Sequence, residues 1–234
     1  MRFIIFFLLI TTATYCQKNI EITFKKYFNE SYKLDDNASD YVKKSFLNLS
    51  KIIDIPTYKL KIVGNNSYFK YDEILEPDNV NKLEKAISIL AGKQTHYVKI
   101  DNKLLYSLSA FENDYYLVQK ELNKFNWELT DKYKTILGFK CRKAKAIYEI
   151  DDIRGKMKFD YYAWFSEDLP SYFGPSDIVG LPGTILEAGT SSFYYKAINI
   201  KFKKIAKIKL PDNEIITEEE YESMYKSLLE NRFN

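Results

Sequence analysis

Few side chains in this 234-residue sequence are suited to chemistry, and each has a plainer structural role open to it. His96 is the single histidine, and alternation in "THYVKI" (95–100) puts it on one strand face with Val98 and Ile100. It reads as a buried, hydrogen-bonded histidine or as a general base. Cys141, in "GFKCRKA", shares a face with Phe139, as a small buried thiol does. Meeting His96 in space, it would instead be the nucleophile of a hydrolase, activated by Lys140, Arg142 and Lys143 if exposed. A carboxylate pair such as Glu167 and Asp177 offers a second hydrolytic chemistry, provided the two groups oppose each other across a cleft. No CxxC, HExxH, calcium loop, phosphate-cradling glycine loop or GxSxG elbow is present. The sequence therefore calls for neither a metal nor a cofactor.

Aromatic residues supply what remains, with 20 tyrosines and 16 phenylalanines. In "KMKFDYYAWF" (156–165), Met157, Phe159, Tyr161, Ala163 and Phe165 form a core stripe. The opposite face runs Lys156, Lys158, Asp160 and then turns aromatic at Tyr162 and Trp164, which mark either a second packed layer or a ligand platform. Just beyond lies "DLPSYFGPSDIVGLPG" (168–183), where three of the six prolines fall; four of the eight glycines fall between Gly174 and Gly189. Pro170 and Pro175 force extended residues before them. Leu181-Pro182-Gly183-Thr184 fits a type II turn with positive φ at Gly183. The candidate ligand-binding set is Tyr162, Trp164, Phe173, Gly174, Pro175, Gly180, Leu181, Pro182 and Gly183. A packed crossover between two strands is the competing reading.

The elements that must position these residues follow from periodicity. Ile20, Ile22 and Phe24 alternate as a strand, and "GNN" (64–66) joins two alternating runs as a hairpin. Helices are expected from Ser39, from Pro77 to Gly92, and after Thr217, which forms a capping box with Glu220. Strands fill most of 95–165, including a hairpin closed around 151–155. A further strand-like stretch runs from Ser191 to Leu210. The fold class is α+β: a large curved antiparallel sheet, a half-barrel like those of lipoprotein carriers, with about three helices that cover or plug its concave side.

Residues 1–16 read as a signal peptide: Arg2, an apolar run from Phe3 to Ile10, then small residues. Lipidation of Cys16 is the rival, and the bulky Tyr15 before it argues against that. Residues 17–234 then form a single domain with one cysteine, Cys141, a possible free thiol. Losing Arg2 lowers the net charge from +3 to +2, which points to neither nucleic acid nor an anionic membrane as partner. After residue 16 no apolar run is long enough to span a bilayer.

Four segments, "GFKCRKAKA" (138–146), "YAWFSEDLP" (162–170), "GPSDIVGLPG" (174–183) and "TILEAG" (184–189), resemble in order the pattern of the GLPGLI family of small secreted proteins. The resemblance spans about 127–190, with Thr184 where the namesake motif has an apolar residue. It implies an exported protein, periplasmic or outer-membrane-associated, accessory to an outer-membrane uptake system. It carries no biochemical activity with it. The combined expectation is a binding protein for an apolar, lipidic or peptide-like ligand. The hydrolase built on Cys141 and His96, or on the carboxylates, is one alternative. A structural interaction module on the basic stretch from Lys201 to Lys209 is the other.

Overall fold

The computed structural model describes residues 19–29, 32, 36–50, 53–72, 95–152 and 155–233. The signal peptide, Cys16 and the helix expected over 77–92 lie outside them. The strands are β1 (Ile20–Phe28), β2 (Thr57–Val63), β3 (Asn66–Asp72), β4 (Thr95–Lys99), β5 (Leu104–Phe111), β6 (Asp114–Glu121), β7 (Glu128–Ile136), β8 (Phe139–Asp152), β9 (Gly155–Ser166), β10 (Thr184–Gly189), β11 (Phe193–Phe202) and β12 (Ile215–Thr217). Two α-helices are present among the described residues, α1 (Asp40–Ser50) and α2 (Glu218–Phe233).

The twelve strands among the described residues belong to one open sheet, ordered β12-β6-β5-β4-β3-β2-β1-β11-β10-β9-β8-β7. Every pairing is antiparallel except that of β12 with β6. Chain length forces this sheet to curl. β6 and β7 stand ten strand spacings apart, about 48 Å on a flat sheet. Only Leu122–Trp127 joins them, a reach of roughly 25 Å at full extension. The two wings must therefore turn toward each other, and their side chains meet. The ring of Phe125, in that connection, lies 5.3 Å from Tyr148 of β8 and 5.0 Å from Tyr161 of β9.

The inside of the curl is the core. Ile22, Phe24, Leu60, Ile62, Leu105 and Phe165 project into it from alternate strand positions and are fully buried or nearly so. Among the described residues, the space they leave is filled by the connection between β9 and β10. Phe173, Ile178, Val179 and Leu181 are all at most 4% exposed. The segment braces itself: Tyr172 N–H donates to Leu181 O (2.8 Å), Ile185 N–H to Phe173 O (2.8 Å), and Thr184 Oγ1 to Pro170 O (2.6 Å). Trp127 Nε1 donates to Val179 O at 2.9 Å and ties the segment to the connection between β6 and β7.

The expected type II turn does not form. Gly183 has no positive φ; its N–H donates to Leu181 O at 2.7 Å in a three-residue turn about Pro182. Left-handed backbone falls instead at Tyr172 (φ 73°), Ser176 (φ 56°) and Gly180 (φ 96°).

α2 begins as its sequence dictates. Thr217 N–H donates to Glu220 Oε2 (2.7 Å), and Glu220 N–H to Thr217 Oγ1 (3.1 Å). The helix docks on the β5–β6 hairpin, where Tyr221 and Tyr225 donate to Ala110 O. In α1, Phe46 packs 4.6 Å from Phe28. Two stretches depart from expectation. Leu137 and Gly138, both with positive φ, break the strand-like stretch "TILGFKCRKAKAIYEI" (135–150) and close the β7–β8 hairpin. β11 stops at Phe202, because the chain must then cross from mid-sheet to the β12 edge, which a continued strand cannot do.

Candidate functional site

Two clefts flank β9, one on each face of the sheet. The outer one is built by register. On β8 and β10, Lys143 and Glu187 both pair with Trp164, and Lys145 and Gly189 both pair with Tyr162. A bulge at Leu186 keeps Glu187 beside the indole. Lys134 reaches over from β7, 2.7 Å from Glu187 Oε1 and 4.5 Å from the Trp164 ring centroid. Lys143 Nζ lies 5.3 Å from the Tyr162 ring and 5.6 Å from that of Trp164. Burial, and then Lys132, Lys145 and Lys134, lower the Lys143 pKa; burial and Glu187 hold the Tyr162 phenol far above its ordinary value. The resulting cleft is about 940 Å³, with Glu128, Asp160, Lys143, Lys145, Tyr162 and Trp164 among its walls.

The inner cleft, about 160 Å³, is lined by Lys26, Tyr161, Ser176, Asp177, Phe193 and Tyr195 among others. It opens onto a polar network inside the core. His96 Nδ1 lies 3.0 Å from Ser107 Oγ, and Nε2 lies 3.3 Å from Ser176 Oγ. Burial lowers His96 to about 4, against the pull of Asp177, so the imidazole is neutral at pH 7. Asp177 forms an ion pair with Lys124 of the β6–β7 connection. Burial opposes its charge, yet Lys124, His96 and Lys120 hold the carboxyl well below the usual range. Lys26 sits 4.7 Å from the Phe193 ring and 5.1 Å from that of Tyr195; burial lowers it to about 8. Among the described residues no buried side-chain nitrogen or oxygen lacks a hydrogen-bond partner.

Against these two sites the residues expected from sequence separate cleanly. Tyr162 and Trp164 both line the outer cleft. Phe173, Gly174, Pro175, Leu181 and Gly183 are buried in the loop that fills the core, Gly180 is half-buried and Pro182 is exposed. His96 is buried and hydrogen-bonded, as its strand position indicated. It does not meet Cys141, whose thiol contacts Phe139 O at 3.5 Å and stands seven strands away in the sheet order. Burial raises the Cys141 pKa to about 11, with Lys134 pulling the other way, so the thiol is neutral at pH 7. Cys141 is expected to stay unlabelled by a maleimide at pH 8 in the native protein and to react on unfolding; rapid native labelling would contradict its placement. Glu167 and Asp177 do not oppose each other either. Glu167 lines a separate cleft of about 230 Å³ with Lys140 and Arg142.

The inner network is what the sequence reading left out. A signal for it exists: in β1, Ile20, Ile22, Phe24 and Lys26 share one parity, so a lysine stands in line with three core residues. Among the described residues no cluster of three metal-ligating side chains occurs, and no helix is long and apolar enough to cross a membrane.

No protein-family model matches the chain, and no curated protein sequence matches it. Two solved structures described as PNGF-II, one in space group C2 and one in P21, superpose on it with TM-scores of 0.56 each. At 15% and 17% identity they cover 89% and 90% of this chain but only 33% and 34% of their own. The chain thus spans about a third of the length of the chains it matches, and what it shares with them is the fold of that third.

Proposed function

We propose that this is an exported envelope protein that binds a peptide-like ligand in the outer cleft of β8–β10, in the setting of an outer-membrane uptake system. The cleft itself carries the reading. Its volume, about 940 Å³, lies at the upper end of what small-ligand sites use. Its walls alternate aromatic rings with acids and bases, which suits a chain presenting amides, charges and side chains more than a lipid tail. Inside the curled sheet, the loop from Leu169 to Leu181 occupies the apolar core, with Phe173, Ile178, Val179 and Leu181 buried there. The wider context, export and an uptake partner, rests on the N-terminal sequence and on the resemblance at 127–190.

Trp164 gives the test. Titration of the purified protein with a mixed tripeptide and tetrapeptide pool is expected to change tryptophan fluorescence saturably, and Trp164→Ala to weaken binding about tenfold or more while leaving the melting temperature within a few degrees. Trp127, bonded to Val179 O, serves as the internal reference. Saturable binding that Trp164→Ala leaves intact, or no peptide retained in native mass spectrometry of protein taken from its own envelope, would sink the proposal.

A further inference from the structure

The inner cleft presents an arrangement that peptide binding on the outer face does not use. Ser176 is the residue between Pro175 and Asp177 and holds a left-handed backbone, φ 56°, that non-glycine residues seldom adopt. Such strain persists only where the surroundings enforce it, and it gathers at functional positions. Here the enforcing contacts are polar and directed. Ser176 Oγ lies 3.3 Å from His96 Nε2, 3.4 Å from Asp177 Oδ1, and hydrogen-bonds with Tyr195. The far side of the imidazole is fixed by Ser107 Oγ at 3.0 Å. With His96 Nδ1–H donating to Ser107, Nε2 is left as the acceptor facing the Ser176 hydroxyl.

We propose that Ser176 is a nucleophile, with His96 as its general base and Ser107 as the residue that orients the base, acting on esters of short acyl groups. In the first step Ser176 Oγ attacks the ester carbonyl and its proton passes to His96 Nε2. The carbon–oxygen bond to the alcohol then breaks, and the leaving oxygen takes that proton. Water, deprotonated by the same nitrogen, cleaves the acyl-serine, releases the carboxylic acid and restores Ser176. Lys26 on the cleft wall supplies the positive charge beside which the carbonyl oxygen becomes negative. A cleft of about 160 Å³ holds the volume of about five waters, which limits the acyl group to a few carbons. None of this depends on the outer cleft, and the two can fail separately.

A fluorophosphonate probe on the full wild-type chain, mapped by peptide mass, tests it directly. The expected result is one adduct per chain, on Ser176, and a matching burst with p-nitrophenyl acetate. Ser176→Ala abolishes both, and His96→Gln slows them about 100-fold or more, the usual contribution of a general base. The rate is level from about pH 6 to 7, falls as pH drops through about 4, where His96 protonates, and falls again as pH rises through about 8, where Lys26 loses its charge; the charged groups around the imidazole are Asp177 on the loop, Lys124 on the β6–β7 connection and Lys120 on β6. No adduct, an adduct elsewhere, or labelling that survives Ser176→Ala overturns the proposal. Mapping the wild-type adduct decides the matter even if a variant folds poorly. A purely structural Ser176 would change the melting temperature on substitution and take no label.

Discussion

Gly183→Ala is expected to cost more than about 3 kcal/mol, enough to leave the protein largely unfolded at physiological temperature, because the added methyl has nowhere to go. A Cβ built at Gly183 lies 2.2 Å from Ser166 O, 2.6 Å from Ser166 C and 3.0 Å from Glu167 N. All three are backbone atoms at the end of β9. Relief therefore requires moving the strand or the turn, unlike the usual overpacking in which a side chain shifts for about 1–3 kcal/mol. The turn is pinned on its other side by the Gly183 N–H to Leu181 O bond and by Thr184 Oγ1 on Pro170 O. Gly138→Ala is the control. It tests a positive φ of 85° with nothing within 4 Å of the new methyl, and should cost only about 1 kcal/mol. Urea unfolding of the two variants beside wild type reads the difference. Equal losses would show that the backbone at 166–167 yields to the added methyl and that close approach does not make glycine necessary at 183.

That contrast also marks how far sequence reasoning reaches in this protein. The glycines and prolines of 170–189 announced a specified backbone, and it is specified. The mechanism at Gly183 differs because turn chemistry is local whereas the clash is with a strand seventeen residues away. Alternation found β1, the β2–β3 hairpin, the β8–β9 hairpin and the core stripe of β9, since each rests on near neighbours in the chain. The capping box at Thr217 and Glu220 is equally local. The curl of the sheet is not. It follows from the six residues that join β6 to β7 once strand order is known, and strand order is nowhere written in a periodicity. The same holds for the two clefts. Tyr162 and Trp164 could be picked out because an aromatic pair on a polar face is visible in one strand. Ser176, Asp177, Lys124 and Lys26 come from three separate segments and converge only because the loop fills the inside of the curl. Lysine and aspartate there look like solvated loop residues until the packing is seen.

The inner network sets the acid limit of the fold. Stability is expected to fall by about 3 kcal/mol between pH 6.5 and pH 4 on account of His96 alone. Its ordinary value is 6.5 and burial lowers it to about 4 in the folded protein. Between those values the unfolded chain takes up a proton that the folded chain refuses, so folding weakens as pH falls through the window; above 6.5 the histidine is neutral in both states and has no effect. Asp177 extends the loss downward. Its folded value is depressed, chiefly by Lys124 and against the cost of burial, so its contribution is complete above the ordinary carboxylate range and fades as pH falls through and below it. Lys26 acts at the other end: lowered to about 8, it makes the folded state gain as pH rises from there toward 10.5. His96→Gln separates the first two, since an amide can hydrogen-bond both Ser107 and Ser176 but does not titrate. Urea midpoints at pH 7, 5.5 and 4.5 should drop steeply for wild type. For His96→Gln they should hold nearly level until the carboxylate range, where Asp177 takes over. If the variant loses stability between pH 6.5 and 5 as fast as wild type, the proton uptake that weakens the fold occurs somewhere other than the imidazole between Ser107 and Ser176.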